Sequence, residues 1–210
     1  MSANQMGIYR SRILPHLMNA VMSSDDNREI RSRVCTGLAG VVVEIGFGSG
    51  LNIPYYPAGV HTVHAVEPAA RSVALASERI EASHAHVHHT GLTGERIDLP
   101  SASADAVLST WTLCSIPDVD AALGEIGRVL KPGGTLHFVE HGISPDPKVA
   151  CRQRRVEPIS KPIFGGCHLT RDIPALLART GFVIDTITTY QHPKEPKAFG
   201  WTFEGRATLP

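Results

Sequence analysis

Glycines at positions 46, 48 and 50 interrupt the stretch Val41-Val42-Val43-Glu44-Ile45-Gly46-Phe47-Gly48-Ser49-Gly50-Leu51, directly after a run of β-branched apolar residues. Such a run reads as a strand buried on both faces of a parallel sheet. Alternating glycines at its end let a ligand approach the backbone where a Cβ would block it. The third glycine comes one residue earlier than in the dinucleotide fingerprint G-x-G-x-x-G. Glu44 stands inside the strand, just before the turn. A carboxylate there repels a pyrophosphate and suits a ligand that carries an ammonium group and no phosphate. Glu67 follows at the end of a second apolar run, Thr62-Val63-His64-Ala65-Val66-Glu67. An acid at that distance is placed to accept from both hydroxyls of a ribose.

Other residues offer chemistry of a different kind. His141 follows an apolar run closely, and a neutral imidazole suits proton removal near pH 7. His168, next to Cys167, is a second candidate. His84, His86 and His88 alternate along one stretch and would share a strand face. Ligands spaced along a single strand splay too widely for a tetrahedral site, so that row reads as an exposed edge and no metal is expected.

The elements that hold these residues alternate strand and helix. Residues 1–36 are helical in character, with a break at Ser23-Ser24-Asp25-Asp26-Asn27 that caps a second helix. They read mostly as packing against a sheet, and otherwise as a lid over the ligand with Tyr9 and His16 in contact. Pro68 opens a helix through Ala82, residues 84–90 form a third strand, and Ala104–Thr110 a fourth. Asp118 caps a helix that ends at Lys131-Pro132-Gly133-Gly134, and a fifth strand spans Thr135–Glu140. The Pro- and Arg-rich residues that follow, to about 170, read as an insertion with a short helix over the sheet's active edge. Thr170 then caps a helix closed by Gly181, and two strands finish the chain, at Val183–Thr188 and around 200–207.

At 210 residues, with 42% hydrophobic and 19% charged side chains, the chain reads as one domain. Twenty basic and twenty acidic residues balance, which disfavours a nucleic-acid footprint. The four cysteines, at 35, 114, 151 and 167, form no CxxC pair and read as reduced thiols of a cytoplasmic protein. No window approaches a membrane span, and no signal peptide is evident.

Taken in order, Glu44–Gly50, Ala65-Val66-Glu67-Pro68, Leu99-Pro100 before Asp105-Ala106-Val107, and Arg128–Gly134 resemble the class I S-adenosylmethionine-dependent methyltransferases, of the type 11 or UbiE-like kind. Thr110–Pro117, Phe138-Val139-Glu140-His141-Gly142 and Gly165–Arg171 resemble the alkyl-thiol methyltransferase group. Mammalian members of that group carry an N-terminal hydrophobic anchor, which this sequence lacks, so only peripheral membrane contact is left open. The resemblance implies a Rossmann-like α/β fold, with a seven-stranded, mostly parallel sheet, helices on both faces and the last strand antiparallel. It implies a single methyltransferase domain over 1–210, with 1–36 as a helical lid and 142–170 capping the active site. The implied cofactor is S-adenosylmethionine. Glu44, Gly46, Gly48, Gly50 and Asn52 would lie by its methionine part, Glu67 and Pro68 by the ribose, and Glu95 and Arg96 by the adenine. Thr110 and Trp111 would follow the sulfonium.

The expected acceptor is a small, fairly apolar molecule, with a thiol favoured over hydroxyl or amine. Methyl transfer is an in-line displacement, so alignment and exclusion of water supply much of the catalysis. His141 is either the base or a structural histidine anchoring the insertion. Tyr9, Cys114, His168 and Arg171 are candidates for contact with the acceptor. Cys114 also reads as a buried small hydrophobe, and Arg171 as a clamp on the next helix. Lipid or quinone methylation is an alternative. Nucleic-acid methylation lacks its usual Asn/Asp-Pro-Pro-aromatic or Pro-Cys motif, and a dinucleotide oxidoreductase is opposed by Glu44 and the early third glycine.

Overall fold

The β-branched run 41–43 forms β1 (Gly40–Ile45), an inner strand with β2 (Val60–Val66) on one side and β4 (Ala104–Thr110) on the other, parallel to both. The computed structural model describes residues 7, 9–90 and 93–210. Beyond β2 lies β3 (His86–His89), and beyond β4 lies β5 (Leu130–His141). Two C-terminal strands, β6 (Val183–Gln191) and β7 (Trp201–Thr208), complete the order β3-β2-β1-β4-β5-β7-β6. β7 runs antiparallel to both of its neighbours. The expected seven-stranded, mostly parallel sheet is therefore present.

Period-two alternation divides the apolar side chains of the inner strands between two cores. Val43, Ile45, Val107 and Phe138 face one side. There they pack under α5 (Val119–Val129) and α7 (Ile173–Arg179), through Leu123, Ile126, Ile173 and Leu177. Val42, Leu108 and Val139 face the other, under α2 (Asp25–Cys35) with its buried Ile30 and Val34. The short helices α3 (Ala70–Leu75) and α4 (Ser77–Glu81) bring Ala76 and Ile80 to the same side. Ser24 caps α2 by accepting from Asn27 N, and Asp118 caps α5 by accepting from Ala121 N at 3.0 Å.

Several elements differ from expectation in extent. The single helix expected over 68–82 is two helices that break at Ala76, whose side chain is packed against the glycine loop beside Gly50. Within β5, Ala104 pairs with Leu130 and Ala106 with Thr135, so Lys131-Pro132-Gly133-Gly134 bulges out between two paired residues. The helix after β5 is not short: α6 spans Pro147–Ile163, with Asp146 as its cap. Asp172 and not Thr170 caps α7, because the Thr170 hydroxyl donates to Glu157 at 2.7 Å. The histidine row is the expected exposed edge, with His86 and His88 on β3 and only His84 outside the strand. His84 precedes β3 and bonds the Pro57 carbonyl at 3.2 Å, while His88 stacks near His64.

At the N-terminus, a π-helical turn (Tyr9–Ile13) runs into α1 (Leu14–Met22), with Pro15 in its first turn, where a missing N–H costs nothing. Among the described residues no helix is long and apolar enough to cross a membrane.

Candidate active site

A crevice of about 400 Å³ opens at the carboxyl ends of β1, β2 and β4, where a parallel sheet places its ligands. The glycine loop forms one wall. Gly46 has φ +69°, and a Cβ there would sit 2.0 Å from the Thr112 hydroxyl, so no other residue fits. Gly48, at φ +58°, has only the Gly46 carbonyl oxygen, at 3.7 Å, near where a Cβ would point. Glu67 lies opposite, accepting from the backbone N–H of Gly48 and of Ala69, each at 2.8 Å. Burial raises its pKa above the ordinary carboxylate value, and those two N–H donors oppose the shift. Pro68, Glu95, Thr110 and Trp111 also line this crevice.

Glu44 does not line it. Its fully buried carboxylate accepts from the Tyr56 hydroxyl and from Asn52 Nδ2, the latter at 2.9 Å. Burial raises the Glu44 pKa to about 7 against the pull of those bonds and of Arg31. Asn52 is the link. Its Oδ1 accepts from Arg31 Nη1 at 2.7 Å, and its Nδ2 also reaches Thr110 Oγ1 at 3.1 Å. Arg31 lies over the Trp111 ring, 4.9 Å from its centroid, and lines the crevice. Its Nε has no hydrogen-bond partner among the described residues, and burial lowers its pKa to about 10. A buried, incompletely paired guanidinium facing a crevice is a receptor for a carboxylate. Sequence reasoning missed Arg31. The available signal was its place on the inward stripe Asn27, Ile30, Arg31 and Val34 of α2, where a cation is out of character.

Trp111 begins the loop after β4 with φ +52°, a left-handed conformation that a bulky residue rarely adopts. The loop is held from beneath by Glu140, a fully buried carboxylate of β5. It accepts from Ser109 Oγ at 2.7 Å, Thr112 N at 3.1 Å and Cys114 N at 3.0 Å. Arg171 clamps the same loop from outside by donating to the carbonyls of Leu113 and Ile116. It therefore fixes the loop through carbonyls and does not reach a ligand cavity on this side of the sheet.

A second chamber of about 320 Å³ adjoins the crevice. Met18, Met22, Trp111, Ser115 and Phe164 line both. The chamber is walled by apolar side chains, including Val21, Leu169 and Phe199, and His141, Cys167 and Glu195 line it together. His141 Nε2 lies 3.5 Å from a Glu195 carboxylate oxygen, and Nδ1 lies 3.6 Å from Cys167 Sγ. Burial disfavours the His141 cation, yet the Cys114 sulfur and Glu195 outweigh it and raise the pKa to about 10. The sequence suggested an ordinary imidazole there, and these neighbours shift it towards the cation. Glu195, in the loop between β6 and β7, carried no sequence signal.

The remaining candidates lie outside both cavities. Tyr9 donates to the Ile163 carbonyl at 2.7 Å, and His16 accepts from Arg71 Nε at 3.0 Å. His168 Nδ1 pairs with Glu157 at 3.3 Å. Cys114 is fully buried behind the chamber wall. The exposed Arg96 uses its backbone N–H to close a turn on Thr93, and Gly50 closes the glycine loop on Phe47.

This donor set fits S-adenosylmethionine. It offers a carboxylate beside an open glycine backbone, an unsatisfied guanidinium for a carboxylate, and an apolar chamber adjoining the crevice beyond Trp111. Residues 43–138 match a family model described as a methyltransferase domain. Human thiol S-methyltransferase TMT1B is 33% identical over 174 residues, which cover 75% of this chain and 70% of that protein. The chain belongs to the S-adenosylmethionine-dependent methyltransferases. The rat TMT1B protein is 37% identical to this methyltransferase over 136 residues, or 62% of the chain, and the match spans only 55% of the rat protein's length. In fold, the methyltransferase superposes on an S-adenosylmethionine-dependent methyltransferase of Thermotoga maritima with a TM-score of 0.68 at 19% identity, over 98% of this chain and 99% of that one. S-adenosylmethionine is its cofactor.

Proposed function

We propose that this methyltransferase methylates the sulfur of a small, fairly apolar thiol. The observation that carries the reading is the apolar chamber adjoining the cofactor crevice at Trp111, in which His141 and Glu195 stand together against apolar walls. An alkyl or aryl body fills such walls, while the polar group it carries meets the imidazole. The TMT1B relatives, named for thiol S-methylation, support sulfur over oxygen or nitrogen.

When bound, the cofactor supplies an activated methyl on a positively charged sulfur. The chain's own residues bind, orient and exclude water. Glu67 accepts from the ribose hydroxyls, Gly48 gives the backbone clearance, and Glu95 and Pro68 flank the nucleoside. Arg31 receives the methionyl carboxylate. Glu44 and Asn52 serve from behind by fixing Arg31 and Thr110 in place. Met18, Met22 and Phe164, from the lid and the insertion, cover the junction and keep it dry. His141, braced by Glu195, stands beside the acceptor sulfur and favours its thiolate form, the proton passing to water. The four unpaired cysteines extend the proposal to a reducing compartment, the cytoplasm.

The test is a panel of thiols, phenols and amines on matched carbon skeletons, incubated with methyl-labelled S-adenosylmethionine and read by mass spectrometry. S-methyl products are expected from the thiols. Label appearing only in the phenols or amines would refute the sulfur assignment. In His141→Ala, kcat is expected to fall about a hundredfold while S-adenosylhomocysteine still binds with wild-type affinity.

A further inference from the structure

Resting on the reading of the chamber as the acceptor pocket, we infer that Cys114, His141 and Cys167 form a site for a thiophilic divalent metal ion of the zinc class, with its open position facing that chamber. The three come from separate segments: the loop after β4, the last residue of β5, and the turn between α6 and α7. Their donor atoms all lie within 4.8 Å of one another. Cys114 Sγ and Cys167 Sγ are 3.5 Å apart, and Cys167 Sγ is 3.6 Å from His141 Nδ1. Tetrahedral zinc, with bonds of about 2.3 Å to sulfur and about 2.0 Å to nitrogen, separates two sulfurs by about 3.8 Å and sulfur from nitrogen by about 3.5 Å. These two spacings need only a few tenths of an ångström of adjustment, and the third pair, Cys114 and His141, lies within 4.8 Å.

The surroundings match a metal site as well. A ligating histidine usually turns its other ring nitrogen to a carboxylate, which sets the tautomer. His141 presents Nδ1 to the sulfurs, and its Nε2, otherwise without a hydrogen-bond partner, lies 3.5 Å from Glu195. The backbone holds the ligands in register. Cys114 N donates to Glu140 at 3.0 Å, and His168 N donates to the Cys114 carbonyl at 2.8 Å, which ties the two cysteine segments together. Cys114 closes the inner side of the cluster, while Cys167 and His141 line the chamber, so the fourth position points at the acceptor. Metal uptake releases to solvent the two thiol protons and the proton of the imidazolium, which leaves the Nδ1 lone pair for the metal. An acceptor thiol entering the fourth position loses its proton to water and is held as a thiolate beside Trp111.

The experiment uses the full-length chain, reduced and stripped of metal under nitrogen, titrated with cobalt(II) as the probe. One equivalent is expected to give the sulfur-to-cobalt charge-transfer band and the visible bands of a tetrahedral site. Cys114→Ser and Cys167→Ser should each lose the charge-transfer intensity of one thiolate, and Glu195→Gln should weaken binding about tenfold. Cys151→Ser, at an exposed position, should leave the spectrum unchanged. A wild-type spectrum without the charge-transfer band, or one untouched by both serine changes, overturns the site. If the serine variants fail to fold, the wild-type spectrum still decides. Thiol methylation should disappear on metal removal and return with zinc. A cobalt spectrum without any thiol methylation would sink the acceptor reading and leave the site standing. Thiol methylation in metal-free enzyme with no cobalt band would do the reverse.

Discussion

The cofactor crevice and the acceptor chamber share a wall at Trp111, yet they are built in opposite ways. The polar groups of the crevice come from strand ends and their first turns, Gly46 and Gly48 after β1, Glu67 after β2 and Thr110 at the end of β4, while α1 and Phe164 add apolar wall. Its charged groups are tied to each other by short hydrogen bonds through Asn52 and the backbone. The chamber is apolar and made by parts that leave the sheet: α1, the end of α6 and the β6–β7 loop. The difference teaches that the polar contacts offered to the cofactor come from the strand ends of the sheet. The contacts that select an acceptor rest on segments free to vary.

That division is open to experiment through variants that should affect one compartment and spare the other. The largest effect is expected for Glu67→Ala, which removes the carboxylate proposed to face the ribose and frees the Gly48 and Ala69 N–H groups. Two charged hydrogen bonds of about 1.5–3 kcal/mol each correspond to a loss of about a hundredfold or more in cofactor affinity, measurable by calorimetry. Arg31→Met should weaken S-adenosylmethionine about tenfold to a hundredfold. It should leave decarboxylated S-adenosylmethionine, which lacks the partner group, comparatively unaffected, and equal losses for both ligands would remove Arg31 from carboxylate recognition.

On the other side of Trp111, Phe199→Ala should raise KM for an apolar thiol about tenfold, the value of burying one aromatic side chain. Cofactor affinity should stay as it was. The smallest effect concerns stability. Folded Glu44 keeps its proton to about pH 7 against an ordinary 4.5, so the native state binds more protons than the unfolded state across that window. Stability of the cofactor-free protein should therefore fall as pH rises from 4.5 through 7. Glu44→Gln should flatten that slope in thermal melts, and an unchanged slope would mean that Glu44 ionises in the fold without penalty.

The same division explains what could be read in the sequence. Gly46, Gly48 and Glu67 were legible because strand, turn and acid follow one another closely, and spacing along the chain becomes spacing in space. Glu44 was legible as a residue but its position was not. It lies behind Asn52, because its side chain points to the core under α2 and not into the turn. Arg31 comes from a helix 79 positions before Thr110, the group it bonds, and no local pattern records that meeting. His141 was legible as a strand end. Glu195 and Phe199 belong to a proline-rich loop whose path is set by tertiary packing alone. The long α6 was also hidden, since Pro158 and Pro162 argue against a helix until Pro147 is seen to open one. The fold and the strand-end lining of the crevice were thus read from neighbours in sequence, while Arg31 and Glu195, brought in from distant segments, were not.

The most direct measurement is isothermal titration of S-adenosylhomocysteine into the wild-type protein, Glu67→Ala and Phe199→Ala under one set of conditions. One site per chain is expected in the wild type, binding about a hundredfold weaker in Glu67→Ala, and wild-type affinity in Phe199→Ala. Undiminished binding by Glu67→Ala, or loss of binding in Phe199→Ala alone, would contradict the separation of a cofactor crevice built on Glu67 from an apolar acceptor chamber.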